Sequence, residues 1–137
     1  MGSLTTGVGA IVLDQTGGGD VTVLLASTTD GAISVSNTGG DLHAGVVTAG
    51  GAGRDVSLST VSNGSVTLDR ITALDATVSV VSAGAINEAS AADADVDVTG
   101  DVVSFTAASG IGDVSAVEVT SGNLSADTIS GDVHINH

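Results

Sequence analysis

The chain has 137 residues, a length that fits one domain, and carries 16 acidic residues against two basic ones, for a formal net charge of −14. This balance excludes nucleic acid and anionic membrane surfaces as expected partners, because both attract positive charge. Cysteine is absent, which excludes disulfide bonds and thiolate metal sites.

The apolar residues are small and aliphatic. Hydrophobic residues make up 42% of the chain, yet Phe105 is the only aromatic residue, and there are 20 glycines and no proline. A core of Val, Ile, Leu and Ala stacked in ladders needs no aromatic side chains to fill irregular space. No segment approaches the ~20 apolar residues of a membrane span, so we expect no membrane insertion.

From the N-terminus onward, short runs show the apolar–polar–apolar alternation of strands with one buried face. Gly, Ser, Asn or Asp separates each run from the next, as is typical of turns, and no segment predicts a helix. The runs are Ile11–Leu13, Val21–Leu25, Ile33–Val35, Leu42–Ala44, Val56–Leu58, Val66–Leu68, Val78–Val80, Val96–Val98, Val103–Phe105, Val117–Val119, Leu124–Ala126 and Val133–Ile135.

Every second run recurs at a regular interval. Ile11 to Ile33 is 22 residues, Ile33 to Val56 is 23, and Val56 to Val78 is 22. The interleaved series that starts at Val21 has a similar period. This spacing predicts about six coils of about 22 residues, each with two or three strands, wound around a common axis.

An antiparallel β-sandwich is the alternative fold, because strands spaced 8–12 residues apart are also its signature. A sandwich core usually contains bulkier residues than this chain has. In addition, a phrase of Gly or Ser, Gly, Asp and an alternating triplet recurs at 18–23, 39–44 and 130–135. Like residues stacked on like favour a parallel β-solenoid formed by residues 1–137 as a single domain.

Three segments, 82–88, 107–112 and 124–136, resemble the degenerate repeats of very large bacterial surface proteins of the filamentous haemagglutinin type. The resemblance covers most of the chain and is strongest from about residue 75 to 137. It implies a right-handed parallel β-helix that is secreted to the bacterial cell surface as part of an adhesin shaft. The whole protein would then bind a host or cell-surface glycan or protein.

The chain departs from a whole member of that family, because it shows neither the N-terminal secretion-related domain nor a signal peptide. Met1-Gly2-Ser3 is typical of an expression start joined to an internal fragment. We therefore expect a segment of a longer shaft.

Four carboxylates are the candidate metal ligands. Asp93, Asp95 and Asp97 alternate with small apolar residues, and Asp101 follows closely. On a strand, the first three would lie on one face about 7 Å apart. Calcium needs several oxygens converging on one point, which a single extended strand does not supply. The alternative interpretation is a solvated acidic face with no bound cofactor.

Catalysis is not expected. β-Helix enzymes that cleave acidic polysaccharides usually hold the substrate with several basic residues, and here only Arg54 and Arg70 are available. A hydrolase acting on neutral glycans usually adds aromatic platforms to its paired acids, and Trp and Tyr are absent. We therefore predict no catalytic or cofactor-binding residue.

The sequence predicts a structural, non-enzymatic extracellular segment of a bacterial adhesin or fibre. Neither end shows an obvious polar or helical cap, so the end coils are expected to self-associate. The alternative is a calcium-dependent module that binds a surface partner.

Overall fold

A computed structural model describes residues 2–90 and 93–137. The described residues form eleven β-strands, and no helix among them is long and apolar enough to cross a membrane. The strands are β1 (Ser3–Val8), β2 (Ile11–Gln15), β3 (Val21–Asp30), β4 (Ile33–Thr38), β5 (Leu42–Ala49), β6 (Val56–Val61), β7 (Val66–Ser82), β8 (Ile86–Glu88), β9 (Val98–Ala107), β10 (Val117–Thr128) and β11 (Ile135–Asn136).

All strand pairs are parallel, and each pair joins strands of successive coils. The chain is therefore a β-solenoid, as the period predicts. The alternative antiparallel sandwich is wrong, because it requires neighbouring strands to run in opposite directions.

The paired strands of successive coils form three faces along the solenoid, which are called walls A, B and C. Wall A holds the column of Ile11, Ile33, Val56, Val78, Val103 and Leu124. Wall B holds the column of Val21, Leu42, Val66, Ile86, Ile111 and Val133. Wall C holds the column of Leu4, Ala26, Val47, Ile71, Val98 and Val119. Six residues in each column correspond to six coils.

Wall C does not appear as a separate series of runs in the sequence. Its strands are continuous with those of a neighbouring wall, so β3 and β7 pass around a corner without a break in strand structure. For the same reason the predicted runs 117–119 and 124–126 belong to one strand, β10. A corner within a continuous strand has no Gly-rich turn residues, so neither turn residues nor the apolar–polar alternation predicts where the corner lies.

The core consists of aliphatic ladders inside the three walls. Phe105 is 1% exposed and lies in the wall A column of Leu13, Val35, Leu58, Val80 and Ala126. Each side chain packs on the apolar side chain of the next coil, about 4.8 Å away. Burial of such columns is the main stabilising term of a solenoid.

Polar side chains form hydrogen bonds with the backbone at the corner between walls A and B. Asn37 is fully buried, and its Nδ2 donates to the carbonyl oxygens of Gly19, at 3.0 Å, and Asp41, at 2.9 Å. One coil later, Thr60 Oγ1 donates to the carbonyl oxygen of Gly64 at 2.7 Å. These bonds give the carbonyl groups of Gly19 and Gly64 a polar partner at the turn, and the carbonyl oxygen of Asp41 also accepts the backbone N–H of Val21 at 2.8 Å.

The recurring Gly-Gly-Asp phrase has a structural role at this corner. The Oδ1 atom of Asp20 accepts the N–H of Asp41 at 2.9 Å, and the Oδ1 atom of Asp41 accepts the N–H of Ser65 at 2.7 Å. The glycines allow the backbones of successive coils to approach closely. The aspartate then links each coil to the next.

The segment before β9 differs from its prediction. Residues 93–97 are irregular, and the strand begins only at Val98, so Asp93, Asp95 and Asp97 do not share one face of a strand. The Ala- and Ser-rich sequence of residues 87–93 favours a longer turn, and this stretch lies partly outside the described residues. An irregular path places neighbouring side chains in different directions, which separates Asp97 from the other two.

Candidate functional site

The four predicted metal ligands lie in different environments. Asp93 and Asp95 are exposed, and the Oδ1 atom of Asp93 accepts the backbone N–H of Asp95 at 3.1 Å. Asp101 is exposed on β9. Asp97 is only 4% exposed, immediately before β9 begins. The four side chains therefore do not form a common site through their position on one strand.

Asp97 belongs instead to a carboxylate cluster with Glu88 and Glu118. One carboxylate oxygen from each residue lies within 4.8 Å of the others. Glu88 is the last residue of β8, and Glu118 is the second residue of β10. The cluster thus draws on three separate elements from successive turns of the solenoid.

Glu88 occupies a core position. It follows Val23, Ala44 and Leu68 in one column of wall B and is only 6% exposed. Burial of a carboxyl group in a column that is aliphatic on three preceding coils is costly unless it has polar partners. The carboxyl groups of Asp97 and Glu118 lie next to it, but in their charged forms they add like-charge repulsion.

Backbone bonds fix the other two members. The Oδ2 atom of Asp97 accepts the backbone N–H of Glu118 at 2.9 Å, and the backbone N–H of Asp97 donates to the carbonyl oxygen of Glu118 at 2.9 Å. The Nδ2 group of Asn136 donates to Glu118 Oε1 at 2.7 Å. Glu118 Oε2 is buried and makes no hydrogen bond within the described part of the chain.

Burial raises the pKa of Asp97 from 3.8 to about 7, because the charged carboxylate is poorly solvated there. The backbone hydrogen bond from Glu118 opposes this change, and the charges of Glu88 and Glu118 add to it. Asp97 therefore takes up a proton near neutral pH, unlike an ordinary exposed aspartate.

Two chemical uses fit this arrangement. Three close carboxyl groups can share a proton, as like charges at short distance disfavour full ionisation. Alternatively, they can ligate a hard cation, since 4.8 Å is about twice a calcium–oxygen bond length. Calcium takes 6–8 oxygen ligands, so water or backbone oxygens would complete the shell.

The exposed surface carries two further features. Arg54 Nε lies 2.6 Å from Asp30 Oδ1, and the hydrogen bond and charge of Arg54 lower the pKa of Asp30. A shallow groove of about 210 Å³ runs along wall C and its corner, where Leu74, Asp75 and Asp101 belong to its lining. This groove contains no part of the carboxylate cluster.

Comparison with known proteins adds no relative: no family model, curated protein or solved structure matches this chain. The parallel strand pairing alone therefore shows the fold.

The pattern of acidic residues in the sequence indicated Asp97 as a candidate ligand but not Glu88 or Glu118. Glu118 follows one residue after an apolar position, in Val117-Glu118-Val119, and so resembles an outward-facing strand residue. For Glu88 a signal existed, because Ile86-Asn87-Glu88 places an acid where the wall B triplets have a second apolar or small residue. For Glu118 only the path of the neighbouring coil reveals the contact.

Proposed function

We propose that this chain is a structural, non-enzymatic segment of an extracellular bacterial adhesin or fibre. The unbroken stack of six parallel coils supports this function, because each coil adds ~4.8 Å to a rod with a continuous core. The rod would be about 30 Å long and would hold other parts of a surface protein away from the cell. The resemblance to filamentous haemagglutinin-type repeats favours the same role.

The surface composition also supports this role. Outward positions on the walls are mostly Ser, Thr and Asp, as in the wall A column of Ser34, Ser57, Ser79, Ser104 and Ser125. Together with a net charge of −14, this surface favours solubility in salty surroundings, where counterions screen self-repulsion.

Antibody labelling of intact source cells tests the proposed location. Labelling with an antibody raised against this chain should be strong before permeabilisation and should be lost after brief external protease treatment. An antibody against a cytoplasmic protein is the control and should label only permeabilised cells. Signal that requires permeabilisation would overturn the extracellular assignment.

A calcium-dependent binding module is the second candidate, and the Glu88–Asp97–Glu118 cluster favours it. If calcium binds there, millimolar calcium should raise the melting temperature, because a ligand that binds only the folded state stabilises that state. At a calcium concentration a hundred times the Kd, the free energy of unfolding should increase by about 2.7 kcal/mol. Asp97→Asn should abolish the rise.

Asp101→Asn is the matched control for this measurement. It removes one negative charge from the exposed surface of β9 but leaves the cluster intact. A calcium effect that is equal in both variants would reflect general screening of a strongly acidic surface and would contradict the binding-module candidate.

A further inference from the structure

The two end coils expose strand edges. At the N-terminal end, β1 pairs only with β3 and β2 pairs only with β4, so each has a second edge without a strand partner among the described residues. At the other end, β10 pairs with β9 over its whole length from Val119 but with β11 only at Val117 and Glu118. Residues 119–128 therefore form the second edge without a strand partner among the described residues, and the side chain of His137 contacts it at the carbonyl oxygen and hydroxyl group of Ser121.

These two edges are in register with each other. Ile11 and Leu124 are the first and last residues of one wall A column, and Leu13 and Ala126 are the first and last residues of another. All strands in the wall run in the same direction. A second copy placed at the C-terminal end would thus present β2 to β10 as a seventh coil of the same wall.

The hydrogen-bonding groups of the edges are also complementary. The N–H of Ile11 donates to the carbonyl oxygen of Ala32 within the chain, so by the alternation of a strand the N–H of Val12 points away from the solenoid. The N–H of Ile129 donates to the carbonyl oxygen of Ala107, so the N–H of Ala126 points away at the other end. Parallel pairing of β2 of one copy with β10 of another would give both N–H groups a carbonyl acceptor.

Within the described part of the chain, the core is less covered in the first and last coils as well. Leu13 and Leu124 are half-buried and Ala126 is exposed, although their columns are fully buried in the middle coils. Neither edge contains lysine or proline, the residues that commonly prevent edge-to-edge pairing. Stacking would bury these side chains as the middle coils bury theirs.

One local adjustment is needed. By the column register, Asn136 of one copy and Ser3 of the next would occupy equivalent positions on wall C. The few terminal residues of one copy must therefore move aside. The pairing of β2 with residues 124–128 on wall A does not depend on them.

Charge opposes the stacking and makes it salt-dependent. Asp14 and Asp127 are the first and last residues of one column, so they would be neighbours in the stack. Like charges opposite each other on paired strands are destabilising, and each copy carries −14. Salt screens both effects.

We propose that copies of this chain stack head to tail, with β2 of one copy extending wall A of the next along β10. This proposal rests on the proposed structural function and names its partner as a second copy of the chain. A head-to-tail contact leaves a free edge at each end, so it generates filaments.

Light scattering coupled to size-exclusion chromatography tests the stacking. The wild-type mass should increase with protein concentration and with salt. Val12→Pro and Ala126→Pro should each weaken association at least about tenfold, because each removes an outward N–H and leaves its acceptor unpaired. Val81→Thr is the control on the exposed outer side of wall A and should associate like the wild type.

Mixing the two proline variants distinguishes the geometry. Val12→Pro retains its C-terminal edge and Ala126→Pro retains its N-terminal edge, so an equal mixture should form one-to-one dimers that grow no further. Formation of these dimers also shows that both variants fold. Asp127→Asn should shift wild-type-like association to lower salt.

Three outcomes would overturn the proposal: a wild type that stays monomeric at high salt and concentration, folded variants whose mixture stays monomeric, or an Ala126→Pro variant that dimerises alone through two N-terminal edges. A monomeric wild type that is nevertheless found on the cell surface would refute the stacking alone. Absence of the chain from the surface would refute the proposed function alone.

Discussion

Gly64→Ala is expected to destabilise the chain by ~3 kcal/mol, roughly three times as much as Gly19→Ala at the equivalent position of the first coil. Both glycines have positive φ angles, +100° and +95°, where an L-residue costs ~1–2 kcal/mol. A Cβ at Gly64 would also overlap the carbonyl group of Gly40, whereas a Cβ at Gly19 would have nothing within 4 Å. Such overpacking adds ~1–3 kcal/mol.

Gly40→Ala separates the two causes. Its φ lies outside the left-handed region, but its Cβ would overlap the carbonyl group of Gly19. Urea unfolding of the three variants at low salt and low protein concentration gives the free energies of unfolding. The decrease in the free energy of unfolding caused by Gly64→Ala should approximate the sum of the decreases caused by Gly19→Ala and Gly40→Ala. Equal losses at Gly19 and Gly64 would show that close packing of the coils does not constrain this corner.

Asp97→Asn is expected to stabilise the chain at pH 8 and to leave its stability almost unchanged at pH 4. The pKa of Asp97 is raised from 3.8 to about 7 in the folded state, so the proton is bound more tightly there than in the unfolded chain. Its stabilising contribution is complete below pH ~4, declines as pH rises through about 7, and is absent above that.

The size of this effect follows from the two pKa values. Their difference corresponds to at most ~4 kcal/mol, and water near the exposed residues 93–96 reduces this to ~2 kcal/mol. Thermal unfolding of the wild type and Asp97→Asn between pH 4 and pH 8 measures it. The wild type should lose stability over this range relative to the variant.

Asp101→Asn serves as the control for charge alone, because Asp101 is exposed. The stability of Asp101→Asn should change with pH in parallel with that of the wild type. A wild type whose stability changes with pH no more than that of Asp97→Asn would show that Asp97 is ionised at neutral pH in the folded chain. In that case, a cation or a solvated environment would have to replace the shared proton.

The pH experiment also bears on the calcium-dependent candidate. Protons and calcium would compete for the same oxygens of Glu88, Asp97 and Glu118. Calcium stabilisation, if present, should therefore be greatest above pH 7 and should decrease as Asp97 takes up its proton. A purely structural cluster would respond to pH but not to calcium.

The carboxylate cluster shows that the coil period and the strand alternation do not predict which side chains of neighbouring coils meet. Asp97 and Glu118 are 21 residues apart, nearly one coil, yet the interval alone does not say which side of the wall each occupies. The irregular path of residues 93–97 turns Asp97 inward, whereas the alternation predicted that it would align with Asp93 and Asp95. Burial and pKa then follow from that single change of direction.

The all-β class, the period of about 22 residues and the aliphatic core could be predicted from the residues, which favoured parallel stacking and left the antiparallel sandwich as the alternative. These features follow from local alternation and from like residues recurring one coil apart, as in the column from Ile11 to Leu124. The fold was needed to show where wall C lies, that Glu88 and Glu118 join Asp97, and that the two free edges are in register. These features depend on the length of each coil and on the direction of the chain at each corner, which the pairing of whole coils sets.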